Sequence, residues 1–199
     1  MNDDSKLIEQ TLAGESAAFG HLVTKYQDRL YNSIAHMTGG AEDARDLVQD
    51  AFVQAFVKLE SFRQSSSFFT WLYRIAFNLT VSHHRRKKPT VSVERVKDAS
   101  GREPIEPGEG PEGHAERKET CQQVRQAIAT LADEHRAVLV LREIDGCDYE
   151  TIASILELPV GTVRSRLSRA RGQLRHRLAD IEGKGQMSEG RGQRAGGND

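Results

Sequence analysis

The chain has 199 residues, of which 37% are hydrophobic, and 28 Lys and Arg stand against 29 Asp and Glu for a formal net charge of −1. That length allows one domain or two small ones, which would have to be compact helical units. Near neutrality excludes binding to a polyanion through overall charge, so any charge signal is local. The acidic start MNDDSKLIEQ excludes a signal peptide, and no run approaches the ~18 apolar residues of a membrane span.

The first predicted helix carries Phe19, Leu22, Val23, Tyr26, Leu30 and Ile34 at helical spacing, and Gly39-Gly40 breaks it. A second runs through Leu47, Val48, Ala51, Phe52, Ala55, Phe56 and Leu59. Its apolar face is wide, which predicts the central helix of a bundle with Phe56 in the core. A polar loop, roughly Ser61 to Ser67, precedes a third helix with Trp71, Leu72, Ile75, Ala76 and Leu79 facing inward. HHRRKK ends that helix, and Pro89 stops it.

The segment 89–114, PTVSVERVKDASGREPIEPGEGPEGH, is rich in Pro, Gly and Glu and has no apolar period. So long a structureless stretch reads as a flexible linker. Beyond it, Val124, Ile128 and Leu131 mark one helix, and Val138, Leu139 and Leu141 another that ends at Asp145-Gly146. Ile152, Ala153, Ile155 and Leu156 mark a short third. The tail from 183 to 199 is Gly-rich and polar, and disorder is expected there. The expected fold is all-α: a helical domain over 1–88, the linker 89–114, and a second helical domain over 115–182.

The last helix follows a tight connection, Glu157 to Gly161. Residues 160–178, VGTVRSRLSRARGQLRHRL, hold six arginines and no acid. Val163, Leu167, Ala170, Leu174 and Leu178 form an apolar stripe. Opposite it, Ser165, Ser168, Gly172 and His176 form a small polar crest. Arg164, Arg171 and Arg175 flank that crest on one side, Arg166 and Arg169 on the other. Such a crest suits insertion between two phosphate backbones, with arginines on phosphate and the crest on base edges. Short helix, tight turn and long helix make a helix-turn-helix whose second helix enters the major groove. Thr162 lies in its first turn, where neighbouring backbone N–H groups could hold a phosphate. A merely solvated arginine face is the competing reading.

Cys121 and Cys147 form no CxxC, and no His stands at zinc-finger spacing, so both read as reduced thiols of a cytoplasmic protein, with no metal and no cofactor expected. His135, Asp145 and Cys147 are close in sequence but form no nucleophile–base constellation. They read as an exposed helix face and a buried thiol, and an enzyme is not expected.

The string LADEHRAVLVLREIDGCDYETIASILELPVGTVRSRLSRARGQLR resembles the fourth region of bacterial sigma-70 family factors of the extracytoplasmic-function (ECF) type. FGHLVTKYQDRLYNSIAHMTG, AEDARDLVQDAFVQAFVKLESF and FFTWLYRIAFNL resemble successive parts of the second region. The resemblance covers about residues 7–88 and 115–180. It implies a transcription initiation factor that binds core RNA polymerase and promoter DNA, reading the −35 element as duplex and the −10 element as melted single strand. By position it implies polymerase contacts from Asp43, Asp46, Gln49 and Asp50. It implies −10 contacts from Phe62, Arg63, Arg74, Asn78 and Ser82. Trp71 belongs either to that surface or to the core, and Arg85 and Arg86 either to phosphate contact or to a solvated helix end. For the −35 element it implies Arg164, Ser165, Ser168 and Arg169, with Thr162 and Arg171 beside them. Gln64 and Ser65 stand where many relatives have Gly and an acid. Relatives are often held inactive by an anti-sigma protein, a partner this sequence neither requires nor excludes. A stand-alone helix-turn-helix regulator is the main alternative. It would bind duplex DNA without polymerase.

Overall fold

A computed structural model describes residues 3–63, 66–87 and 111–192, and among them every regular element is helical. In chain order these are α1 (Asp3–Leu12), α2 (Ser16–Thr38), α3 (Ala41–Val57), a short 3-10 turn (Leu59–Ser61) and α4 (Phe68–Lys87). Then come α5 (Pro111–Ala129), α6 (Asp133–Leu139), a π turn (Val140–Ile144), α7 (Tyr149–Leu156) and α8 (Val160–Gly192). The all-α class and the break between two helical units stand as expected.

The helix boundaries have local causes. Gly39 ends α2 in the left-handed region, φ 71°, and its N–H bonds to the Ala35 carbonyl, a conformation that spares glycine the Cβ clash. Ser67 starts α4 by accepting the Thr70 N–H at 3.1 Å, satisfying one of the unpaired first-turn donors. Asp148 does the same for α7, accepting the Thr151 N–H at 2.7 Å. Pro111 opens α5, because the first helical position needs no N–H. The second unit therefore begins inside the segment expected as linker. The rest of that segment lies outside the described residues. At the other end α8 continues to Gly192, ten residues into the tail expected to be disordered. Residues 193–199 lie outside the description.

Two expectations about packing are corrected. The central helix is α2, not α3: α1, α3 and α4 pack on it from the first unit, and α5, α6 and the π turn from the second. Leu22, Leu30 and Ile34 of α2 are fully buried. On α3, Ala44, Leu47, Val48, Ala51, Phe52 and Ala55 face the core, but Val53, Phe56 and Val57 are exposed. The wide apolar face seen in the sequence therefore belongs partly to solvent. The first helix α1 had no apolar period strong enough to be predicted. It is held by Ile8 in the core and by buried Asp4, which accepts from Tyr26 Oη at 2.6 Å and pairs with Lys25.

The two units also share a contact zone, in which α7 packs on α4 and the π turn on α2. The π turn closes with the Asp145 N–H on the Val140 carbonyl, 3.1 Å. A π turn adds one residue to the helical register, and here it delivers the Asp145 side chain to α2.

Candidate nucleic-acid interface

The helix-turn-helix is built from a buried stripe and a strained turn. Val163, Leu167 and Ala170 are buried as the spacing predicts. Glu157 caps α7 in the left-handed region, φ 55°, the only non-glycine there among the described residues. The Leu158 N–H then reaches back to the Ala153 carbonyl at 3.0 Å. Gly161, by contrast, already lies within α8. The turn's demanding position is thus filled by a residue that sequence rules would not nominate.

Arg164, Ser165, Ser168, Arg169 and Arg171 are all exposed along α8. The Arg164 guanidinium lies 5.6 Å from the Tyr149 ring centre, and that of Arg142 lies 5.2 Å from the same ring. Tyr149 at the start of α7 thus steadies the Arg164 side chain through attraction between cation and ring. Thr162 is half-buried. Its N–H and that of Val163 are both taken by the Pro159 carbonyl, at 2.9 and 3.1 Å, so neither is free for a phosphate.

The helix carries no acid over 160–178, but acids reach it from elsewhere. Arg171 donates from Nε and a terminal nitrogen to Glu143 Oε1, at 2.9 and 2.7 Å. Arg166 pairs with Glu134 at 2.7 Å. Exposed pairs of this kind are worth ~0–1 kcal/mol, so a phosphate can displace them.

On the first unit, Phe62, Phe68 and Trp71 form an aromatic cluster. Phe62 lies 5.1 Å and Phe68 5.9 Å from Trp71, ring centre to ring centre. Phe68 is buried, while Phe62 and Trp71 are half-buried, so each of these two serves the core on one side and is open on the other. Arg63, Asn78, Arg85 and Arg86 are exposed. The Ser82 hydroxyl donates back to the Asn78 carbonyl at 2.8 Å. Arg74 is engaged by the second unit: it donates to the Ser154 carbonyl from Nε at 3.1 Å and from a terminal nitrogen at 2.8 Å, and Glu157 lies 3.6 Å away. Residues 64 and 65 lie outside the description.

On α3, Asp46, Gln49 and Asp50 form an exposed polar strip. Asp43 is half-buried, with Oδ1 3.6 Å from His83 Nε2 of α4. Among the described residues no group of His, Cys, Asp and Glu is arranged to hold a metal, and no helix is long and apolar enough to cross a membrane. Burial pushes the Cys147 thiol up to about 11.

Residues 22–90 match the family model for Sigma-70 region 2, and residues 121–174 match that for Sigma-70, region 4. The chain is 40% identical over 173 residues to RNA polymerase sigma-H factor of Pseudomonas aeruginosa, covering 84% of this chain and 90% of the relative. This chain belongs to the ECF group of the sigma-70 family. ECF RNA polymerase sigma factor SigW of Bacillus subtilis is 37% identical over 183 residues, covering 88% and 97%. Among solved structures, the sigma factor RpoE in complex with the anti-sigma factor NepR from Bartonella quintana superposes with a TM-score of 0.65 at 26% identity, covering 81% of this chain and 96% of that one.

As a sigma factor the chain directs promoter-specific transcription with RNA polymerase, a task of initiation rather than catalysis. Sequence reasoning missed the residues that join its two units. Asp145 and His135, expected on an exposed face, are both buried. Asp145 accepts from Ser33 Oγ at 2.8 and 2.7 Å and from Tyr73 Oη at 3.1 Å, and its backbone carbonyl accepts from Arg29 at 2.6 Å. His135 Nδ1 lies 3.2 Å from Gln173 Oε1 of α8, a contact within the second unit. Arg136 is buried and donates to the carbonyls of Ile128, Ala129 and Leu131, and across the units to that of Met37. A polar residue of the second unit at core spacing was the available signal, but it does not say which helix of the first unit would receive it.

Proposed function

We propose that this sigma factor reads the −35 element as duplex through α8 and the −10 element as a melted strand through α4 and the loop before it. The exposed crest of α8 carries the first half. Arg164, Ser165, Ser168 and Arg169 project from a helix whose opposite stripe is buried, which leaves one way for that helix to present itself to a groove. Arg171 serves at the margin after exchanging Glu143 for phosphate, and Thr162 beside the crest contributes through its hydroxyl, its N–H being held by the Pro159 carbonyl.

For the melted strand, Phe62 and Trp71 offer half-open rings on which unpaired bases stack. Arg63, Arg74, Arg85 and Arg86 offer cations along the backbone, with Asn78 and Ser82 on the same helix. Asp43, Asp46, Gln49 and Asp50 dock core polymerase, an acidic strip suited to a basic partner surface. The division into a first unit to residue 88 and a second from about 115 matches these two tasks, and the protein works in the cytoplasm. Likeness to a sigma factor solved with its anti-sigma factor supports an anti-sigma partner here.

Run-off transcription with core polymerase tests this reading. The chain should make the core start at defined sites, and the loaded enzyme should bind single-stranded non-template DNA. A chain that binds duplex sites without polymerase and starts nothing would be a stand-alone regulator instead.

A further inference from the structure

We infer that Tyr149 is a positioning residue for promoter reading: its ring holds the Arg164 guanidinium by the face and leaves the N–H edge to a guanine of the −35 element. The inference rests on the assignment of Arg164 to that element given above.

The arginines of α8 are held in two ways. Arg166 pairs with Glu134 and Arg171 with Glu143, at 2.7 Å each. A carboxylate accepts from the in-plane N–H groups, the same groups that a base edge needs. Arg164 lies instead over the Tyr149 ring, 5.6 Å from its centre. A ring attracts a guanidinium through its face, so this contact does not consume the in-plane donors. The ring has its own anchors. Tyr149 is the first residue of α7, half-buried and packed against the core. Asp148 caps that helix through the Thr151 N–H. The Arg142 guanidinium lies 5.2 Å from the same ring and donates to the Cys147 carbonyl at 2.8 Å, which ties the π turn to the approach to α7. In turn, α7 packs on α8.

Specificity follows from what each arginine must give up. Ordering a long side chain on binding costs affinity, and a contact made in the free protein and kept in the complex lowers that cost. Arg166 and Arg171 release a carboxylate before they meet DNA. Arg164 keeps its ring while its edge reads a base. A guanine presents two acceptors, N7 and O6, to the major groove, and they suit the guanidinium fork. Tyr149 carries no charge, so its loss leaves the salt dependence of binding alone, whereas loss of a phosphate contact changes it.

The test uses holoenzyme assembled from the full chain and core polymerase, on a promoter where it starts, with the −35 base pairs changed one at a time. Arg164→Ala identifies the pair that Arg164 reads, expected to be G·C. Tyr149→Leu should lower discrimination at that pair by about 2- to 5-fold, the worth of an exposed contact between cation and ring. The other pairs and the salt slope should stay as they are. Tyr149→Phe, which keeps the ring, should keep the discrimination. In an Arg164→Ala background, Tyr149→Leu should lower it no further. A pair other than G·C, equal relaxation at every pair, no relaxation at all, or a Phe variant as poor as the Leu variant overturns the inference. If Tyr149→Leu melts, order parameters of the arginine Nε groups in the wild type decide. Arg164 should be more ordered than Arg169, and equal mobility overturns the inference. A holoenzyme that starts nowhere, or an Arg164→Ala protein that relaxes no pair, overturns the −35 reading and this inference with it.

Discussion

Ser33 on α2 and Asp145 after the π turn meet across 112 residues of sequence, the serine oxygen 2.8 and 2.7 Å from the two carboxylate oxygens. Burial raises the Asp145 pKa above the ordinary carboxyl range, against the opposing effects of Ser33, Tyr73 and Arg29. The folded chain thus holds the Asp145 proton more tightly than the unfolded chain, where the carboxyl is solvated. Asp145 therefore stabilises the fold most when protonated. Its contribution is complete below the ordinary range and is lost as pH rises through the raised value. Melting temperature followed from mildly acidic to neutral pH should fall more steeply for wild type than for Asp145→Asn, which has no proton to lose. Parallel profiles would remove Asp145 as the source.

Arg136 predicts a larger loss. Four carbonyls, of Met37, Ile128, Ala129 and Leu131, depend on this one buried guanidinium. Arg136→Ala leaves them without their donor and should destabilise the chain by ~3–5 kcal/mol, the scale seen when one side of a buried charged contact is removed. Arg136→Lys should recover only part, because an ammonium cannot reproduce the planar fork. Urea unfolding of the three proteins measures both steps.

The sequence was legible wherever periodicity or turn chemistry acts locally. The α8 stripe of Val163, Leu167 and Ala170, the Gly39 stop and the burial of Leu72 and Ala76 on α4 follow from side-chain spacing and backbone preference. But Trp71, Ile75 and Leu79 are only half-buried, and Tyr73 and Phe77 fill the core that their spacing did not reveal. The reading failed where one unit's environment depends on the other. Asp145 looks like a helix-ending surface residue until α2 covers it. Phe56 looks like core because nothing in its spacing reveals that α3 lies at the edge of the bundle. Similarly, the acid-free run of α8 gave no hint that Glu134 and Glu143, from α6 and the π turn, would neutralise two of its arginines. The exposed crest itself was readable, because amphipathic spacing fixes which side of a helix faces out.

Glu143→Gln isolates the pair with Arg171. Freed from its acid, Arg171 reaches phosphate without first giving up Glu143. Affinity for −35 duplex should rise modestly, within the ~0–1 kcal/mol of an exposed pair, and Arg171→Ala should make the slope of log affinity against log salt shallower by about one contact. A slope unchanged by Arg171→Ala would place Arg171 outside the DNA footprint.

Glu157→Gly probes the strained turn before α8. The glutamate pays for its left-handed backbone with a Cβ clash of ~1–2 kcal/mol. Glycine removes that clash but gains freedom in the unfolded chain, and the variant also loses the exposed contact to Arg74 at 3.6 Å. The net change in stability should be small, within ~1 kcal/mol of zero.

Arg164→Ala separates promoter reading from polymerase docking. Arg164 is exposed on the crest, with its guanidinium over the Tyr149 ring, so its removal should leave the fold intact. Loss of one base-reading arginine costs ~1–3 kcal/mol and relaxes specificity at one position. Transcription from a −35-dependent promoter should drop by about 5- to 150-fold on that scale, while binding to core polymerase, measured by competition, stays at the wild-type level. Asp50→Lys on α3 should give the opposite pattern, losing core binding through charge reversal at the docking strip. An Arg164→Ala protein that loses both activities equally would place Arg164 in the polymerase contact and remove it from the promoter.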